Sequence, residues 1–162
     1  MVAISVTYTE YELESQKMNS IVSAIECTNL KLGQLGRVLS LHYEDFSCEV
    51  GLNGTQYSLL SHVVTHGPMR PVDLAKRMQL DASTLTRNIQ RLVAIELLSV
   101  GAGPDARSYL VSATSTGHSK QAEAQRVWES AQSVLNERLG FDRVMKLHSL
   151  IDSCIECLVG EE

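Results

Sequence analysis

Aromatic residues are scarce in this 162-residue chain: Trp, Phe and Tyr together make up 5%, and Trp128 is the single tryptophan. A core must therefore be built mainly from aliphatic side chains, and an apolar fraction of 44% is ordinary for one. No run approaches the roughly 18 to 20 apolar residues that a bilayer-crossing helix needs. The opening stretch MVAISVTYTEYELES has neither a basic start nor a long apolar segment, so it does not read as a secretory leader. A cytoplasmic protein without a membrane partner is expected. Its four cysteines, Cys27, Cys48, Cys154 and Cys157, are then expected to be reduced thiols.

Catalytic signatures are missing as well. There is no nucleophile elbow, no phosphate-binding glycine loop and no pair of catalytic carboxylates. The histidines His42, His62, His66, His118 and His148 form no HExxH or similar pattern. Enzyme function is not expected, and neither a cofactor nor a bound metal is called for. Trp128 can either fill a core or line a ligand cavity, and His118 can either meet a ligand or stand in solvent.

The net charge of −5 argues against indiscriminate binding to polyanions, but its distribution is uneven. Residues 68–110 carry Arg70, Lys76, Arg77, Arg87, Arg91 and Arg107 against Asp73, Asp81, Glu96 and Asp105, a net of +2, which leaves −7 elsewhere. A positive middle between acidic flanks points to one anion-facing region.

Apolar periodicity predicts a long helix from Met18 to about Phe46, with apolar residues on two faces, as for a helix held between partners. The glycines of VGLNGT (50–55) break it, and Thr55 is a candidate cap for a helix through His66. Pro71 suits the first turn of a short helix, PVDLAKRM, that buries Val72, Leu74, Ala75 and Met78. After a tight turn, Asp81 is placed to cap a helix running to about Ile95. LLSVG (97–101) and RSYLVSA (107–113), separated by Gly-Pro-Asp, predict a β-hairpin. Thr114 or Ser115 opens a long helix to about Leu139, and a last helix follows Gly140. In that last helix Val144, Leu147, Ile151, Cys154 and Leu158 form a coiled-coil-like seam.

Two mid-chain helices joined by a tight turn and followed by a hairpin are the parts of a winged helix-turn-helix. The expected fold is mainly α with a small β-hairpin wing, flanked by N- and C-terminal dimerisation helices. Its domains would be a terminal dimerisation helix (1–50), the winged module (51–114) and the C-terminal dimerisation helices (115–162).

The helix LDASTLTRNIQRL (80–92) carries Leu85, Ile89 and Leu92 on one side. Elsewhere it bears Ser83, Thr84, Thr86, Arg87, Gln90 and Arg91, with no acid inside the helix proper. A solvated polar face is the plain alternative, but the neighbouring hairpin favours a major-groove reader. Small hydroxyls at its start allow close approach to DNA. Arg87 can bond guanine in bidentate fashion, Gln90 suits adenine, and Arg91 is better placed for a phosphate.

These segments resemble the MarR (multiple antibiotic resistance regulator) family of bacterial transcription factors. The likeness lies in TQYSLL (55–60), HGPMRPVDLAKRM (66–78), LDASTLTRNIQRL, and Asp105-x-Arg107 leading to Thr114-Ser-Thr-Gly117. The resemblance implies a homodimer on a palindromic double-stranded operator, most often a repressor released by a small-molecule effector or an oxidant. It assigns Arg107 to the minor groove, with Asp105 orienting it, and makes Ser83, Thr84, Thr86, Arg87 and Arg91 recognition-helix contacts. An A·T-rich minor groove is narrow and negative, which favours one well-held arginine. The chain departs from the family in having Glu96 where many members end the helix with glycine, and Ser99 and Val100 where they carry wing cations. Fewer phosphate contacts and a shallower salt dependence follow. That thin charge motivates an alternative: a protein of this fold acting mainly through protein partners or small-molecule sequestration.

Cys27, Cys154 and Cys157 are candidates for redox sensing. Cys27 lies near the position where some relatives sense peroxides, although the alignment puts that position closer to Asn29. Cys154-x-x-Cys157 has helical i, i+3 spacing that could form a disulfide or hold a soft metal. Against this, a cysteine on an apolar seam commonly behaves as a small hydrophobe.

Overall fold

The structure is a computed structural model describing residues 27–103 and 108–160. The chain divides into one unit up to Leu41 and a second from His42 onward. Among the described residues the elements are α1 (Thr28–Val50), α2 (Gly54–His66), α3 (Pro71–Met78), α4 (Ala82–Ala94), β1 (Leu98–Ala102), β2 (Tyr109–Ala113), α5 (Ser115–Leu139) and α6 (Phe141–Val159). The N-terminal part of the predicted first helix, from Met18, lies outside the described residues.

α1 continues past Phe46 to Val50, where Gly51 takes φ +66° and donates its N–H to the Ser47 carbonyl. Val50 and Leu52 on either side of that turn are buried. α2 is capped by Asn53 and not by Thr55. The Asn53 side chain accepts from the Gln56 N–H, and the Gln56 side chain accepts from the Asn53 N–H. This reciprocal box needs Glu or Gln three residues after the cap, which Asn53 has and Thr55 lacks. Leu59, Leu60 and Val63 then face inward.

α3 begins with Pro71 in its first turn, as expected, and buries Leu74. Val72 does not join the core: 65% of it is exposed, because it falls on the opposite side of this two-turn helix from Leu74 and Met78. α4 contributes Leu85, Ile89 and Leu92, and the hairpin adds Leu98 and Val111. β1 and β2 pair antiparallel, from Leu98 opposite Ala113 to Ala102 opposite Tyr109. Met69 and Val111 exchange backbone hydrogen bonds of 3.0 and 2.8 Å, so the loop before α3 is pinned to the inner strand. Fully burying each of these aliphatic side chains stabilises the module by roughly 1.5–3 kcal/mol.

Behind the module, Trp128 of α5 stacks on Tyr57 at 4.4 Å and lies parallel to Tyr43 at 6.1 Å. The Tyr43 hydroxyl donates to Gln132 at 2.6 Å, and burial pushes its pKa up. Trp128 thus packs within an aromatic stack. His118, by contrast, is exposed.

Candidate nucleic-acid interface

Everything that aims α4 starts at Asp81. Its carboxylate accepts the Thr84 N–H at 2.9 Å and the Ser83 hydroxyl at 2.6 Å, at the helix end where the dipole is positive. Those hydrogen bonds, Ser83 first, hold its carboxyl well below the usual carboxylate range. The helix is therefore capped by an acid that stays ionised.

From that start the helix turns about 100° per residue. Ser83, Thr86, Arg87, Gln90 and Arg91 are all exposed, on an arc of about 140°. Thr84 lies beside this arc and is half-buried, so it is the most recessed of the predicted contacts. The Thr86 hydroxyl donates to the Ala82 carbonyl at 2.7 Å, which leaves its lone pairs outward as acceptors. The opposite side is fixed by Leu85, Ile89 and Leu92. Between them sits Asn88, which sequence reasoning passed over. It is buried and donates to the Thr84 carbonyl at 2.9 Å. Its polar type gave no hint of burial. Its place three residues after Leu85 and four before Leu92 was the signal available.

The far end of α4 is closed by two hydrogen bonds. Glu96 N–H reaches the Val93 carbonyl at 3.0 Å, and Leu97 N–H reaches the Leu92 carbonyl at 2.9 Å. This is a Schellman turn, whose turning residue must be left-handed, and Glu96 has φ +59°. Glu96, where the resemblance expects glycine, thus sits in a left-handed conformation that disfavours a side chain. Thr114 then joins the wing to this turn. Its hydroxyl donates to the Glu96 carbonyl at 2.6 Å and accepts the Gly117 N–H at 2.9 Å, capping α5. A Cβ on Gly117 would run into the Leu97 carbonyl oxygen. Thr114 and Gly117, matched only as signature residues, hold the hairpin and α4 in register.

Between α4 and the wing lies an open groove of about 510 Å³, lined by Thr86, Ile89, Gln90, Val93, Val100 and Tyr109. Val100, where the resemblance would place a cation, is 51% exposed. Lys76 and Arg77, in the last turn of α3, add exposed positive charge beside α4. Arg70 is engaged at the start of α3, paired with Asp73 at 2.8 Å. Asp105 and Arg107 lie outside the described residues. Among the described residues no group of three or more His, Cys, Asp or Glu could hold a metal, and no helix is long and apolar enough to cross a membrane.

Cys154 and Cys157 stand apart from this face, on α6, and both are exposed. The expected seam is buried only at Val144 and half-buried at Leu147 and Ile151, so Cys154 is not a core thiol within this chain. Cys27, just before α1, is partly buried.

Residues 50–108 match the sequence model of the MarR family. No curated protein matches the sequence. Among solved structures, the chain is similar to the PcaV transcriptional regulator from Streptomyces coelicolor in complex with its natural ligand, with a TM-score of 0.74 and 20% identity over 85% of this chain and 97% of that one. It is similar to the transcriptional repressor CouR bound to a 23-mer DNA duplex, with a TM-score of 0.75 and 18% identity over 82% of this chain and 95% of that one. A mutant MarR from E. coli complexed with operator DNA superposes with a TM-score of 0.72 and 20% identity, over 78% of this chain and 92% of that one. At such identities the structures establish a shared fold, while the family match lies in the winged module itself. Residues 50–108 are thus similar to the MarR family in sequence, and the chain shares the fold of these solved regulators.

Proposed function

We propose that this chain is a sequence-specific DNA-binding transcriptional regulator that reads a pseudo-palindromic operator as a homodimer, acting as a repressor released by a ligand or an oxidant. The observation that carries this reading is the outward arc of α4. Five predicted contact residues share it with no acid among them, and a capped, hydrogen-bonded frame aims it. Similarity to CouR and MarR, each solved on DNA, supports the same use of the fold.

In this reading Arg87 and Gln90 meet base edges, and Ser83, Thr84, Thr86 and Arg91 set the helix on the backbone. Arg107, oriented by Asp105, enters the minor groove. The segments 1–50 and 115–162 serve dimerisation around the module 51–114, in the cytoplasm. Apolar side chains exposed on each unit motivate the pairing: Leu30, Val38 and Leu41 on α1, and Leu150, Ile155 and Leu158 on α6. Two-fold symmetry would place the two reading helices about 34 Å apart, one turn of B-DNA.

The test is a mobility shift against DNA selected from random sequence by the protein. Arg87→Ala should weaken the selected site by about ten- to a hundred-fold, matching roughly 1–3 kcal/mol for a bidentate base contact, and relax preference at one position per half-site. No selected sequence, or an Arg87→Ala variant that binds like the parent, would sink the reading. A second reading rests on the apolar wing: Val100 and Tyr109, both exposed, suit a protein partner or a sequestered small molecule. It predicts no enrichment of any DNA in the same selection.

A further inference from the structure

The last turns of α2 carry two histidines in the sequence HVVTH, and no other pair of histidines in the chain is spaced by three or four. His62 and His66 are four positions apart, so they rise from one face with their Cβ atoms about 5–6 Å apart. The helix stays regular through both, because the Gly67 N–H reaches back to the Val63 carbonyl at 2.9 Å. The two rings stand 6.3 Å apart between centroids, tilted by 51°.

The His62 ring is half-buried and already oriented. Its Nδ1 lies 2.8 Å from the Ser58 carbonyl oxygen. A carbonyl only accepts, so Nδ1 carries the proton and the neutral ring presents a lone pair at Nε2. Metal-bound histidines have the same division of roles, with one ring N–H given to a carbonyl and the other nitrogen to the ion. His66 is exposed, so its ring can turn toward an ion held at His62. An ion about 2.0–2.1 Å from each nitrogen needs those nitrogens roughly 3–3.5 Å apart, a closing that side-chain rotation supplies. His66 also lies in the last turn of α2, where the helix dipole favours a cation.

We propose that His62 and His66 form a two-histidine chelate for a divalent transition-metal ion, on a helix separate from α4. Imidazole nitrogens select zinc, nickel or copper over magnesium and calcium. Among the described residues no group of three or more His, Cys, Asp or Glu is gathered, so water fills the ion's other positions and the metal exchanges readily. Val63, Val64 and Thr65 lie between the histidines, without the glutamate of H-E-x-x-H. The pair therefore holds an ion and offers no base for hydrolysis. This inference needs one chain only, and it stands whether or not the protein reads DNA.

The experiment titrates the full-length protein with nickel(II) alone and follows the histidine ring protons by NMR. Nickel(II) is paramagnetic, so the rings nearest the ion lose their signals first. His62 and His66 should broaden together, ahead of His42, His118 and His148. Calorimetry should give one ion per chain, with nickel(II) held more tightly than cobalt(II), and cobalt(II) more tightly than manganese(II). His62→Ala and His66→Ala should each weaken nickel(II) at least ten-fold, while Cys154→Ser with Cys157→Ser should bind like the parent. His66 is exposed, so His66→Ala keeps the test valid even where the half-buried His62→Ala fails to fold. Excess nickel(II) should raise the unfolding midpoint of the parent and leave that of His66→Ala unchanged. Undiminished affinity in His66→Ala, broadening centred on another histidine, or binding lost with the two thiols would overturn the site. So would a titration that never saturates.

Discussion

Glu96 shows how one residue can satisfy a turn that its chemistry does not favour. The Schellman turn after α4 demands φ near +60°, and a side chain there meets steric conflict that glycine avoids. Glu96→Gly should therefore stabilise the fold by about 1 kcal/mol, seen as a raised urea midpoint at unchanged m-value. A midpoint that falls would mean the glutamate side chain contributes more than its backbone costs. Asp81 gives a second expectation at this scale. Its carboxyl is held below the usual carboxylate range by Ser83 and Thr84, so its folded pKa is lower than its unfolded one. Its contribution to stability is complete above the ordinary aspartate range and is lost as pH falls through the depressed folded value. Carbon NMR titration should find Asp81 still ionised near pH 3, about where ordinary aspartates are taking up protons. Asp81→Asn should keep the cap while flattening the acid limb of the stability curve. Both caps around the reading helix and hairpin, Asp81 and Thr114, were legible in the sequence, because capping depends on a residue's own side chain and its near neighbours. Val72 was misjudged and Asn88 passed over, because burial depends on which face the rest of the fold covers.

At the scale of elements, the hairpin and reading helix act as one piece. Thr114 ties the exit of β2 to the Glu96 turn, and Gly117 lets the start of α5 press against Leu97. Gly117→Ala should cost about 1–3 kcal/mol through the forced contact, and it should weaken DNA binding beyond what lost folding explains. Equilibrium unfolding beside a binding titration at a temperature where the variant is fully folded separates the two effects. The order of elements was readable because each break carried its own punctuation: Gly51, Pro71, Asp81, the Gly-Pro-Asp turn and Gly140. The end of α1 was not, since Ser47 to Val50 continue an acceptable helix and only the buried Val50 and Leu52 show why it runs on. The bridge from Met69 to Val111 was invisible for a related reason: a single pair of backbone hydrogen bonds leaves no periodicity behind.

For the whole molecule, the distribution of charge says more than its total. In the proposed reading, a chain of net −5 would offer DNA one acid-free arc, flanked by Lys76 and Arg77, with a wing whose first strand carries Ser99 and Val100 and no cation. Binding should therefore depend on geometry more than on phosphate attraction, and two arcs at the right separation become decisive. The slope of log affinity against log salt should be shallower than in relatives with cationic wings. Placing Arg at both Ser99 and Val100 should steepen it by about two per chain and raise affinity for unrelated DNA. The most direct measurement is a hydroxyl-radical footprint on the selected duplex, with the mass of the complex taken by light scattering. Two chains should protect two symmetric half-sites about one helical turn apart. A single chain on the duplex, or protection with no two-fold symmetry, would contradict the reading of this protein as a paired reader of DNA.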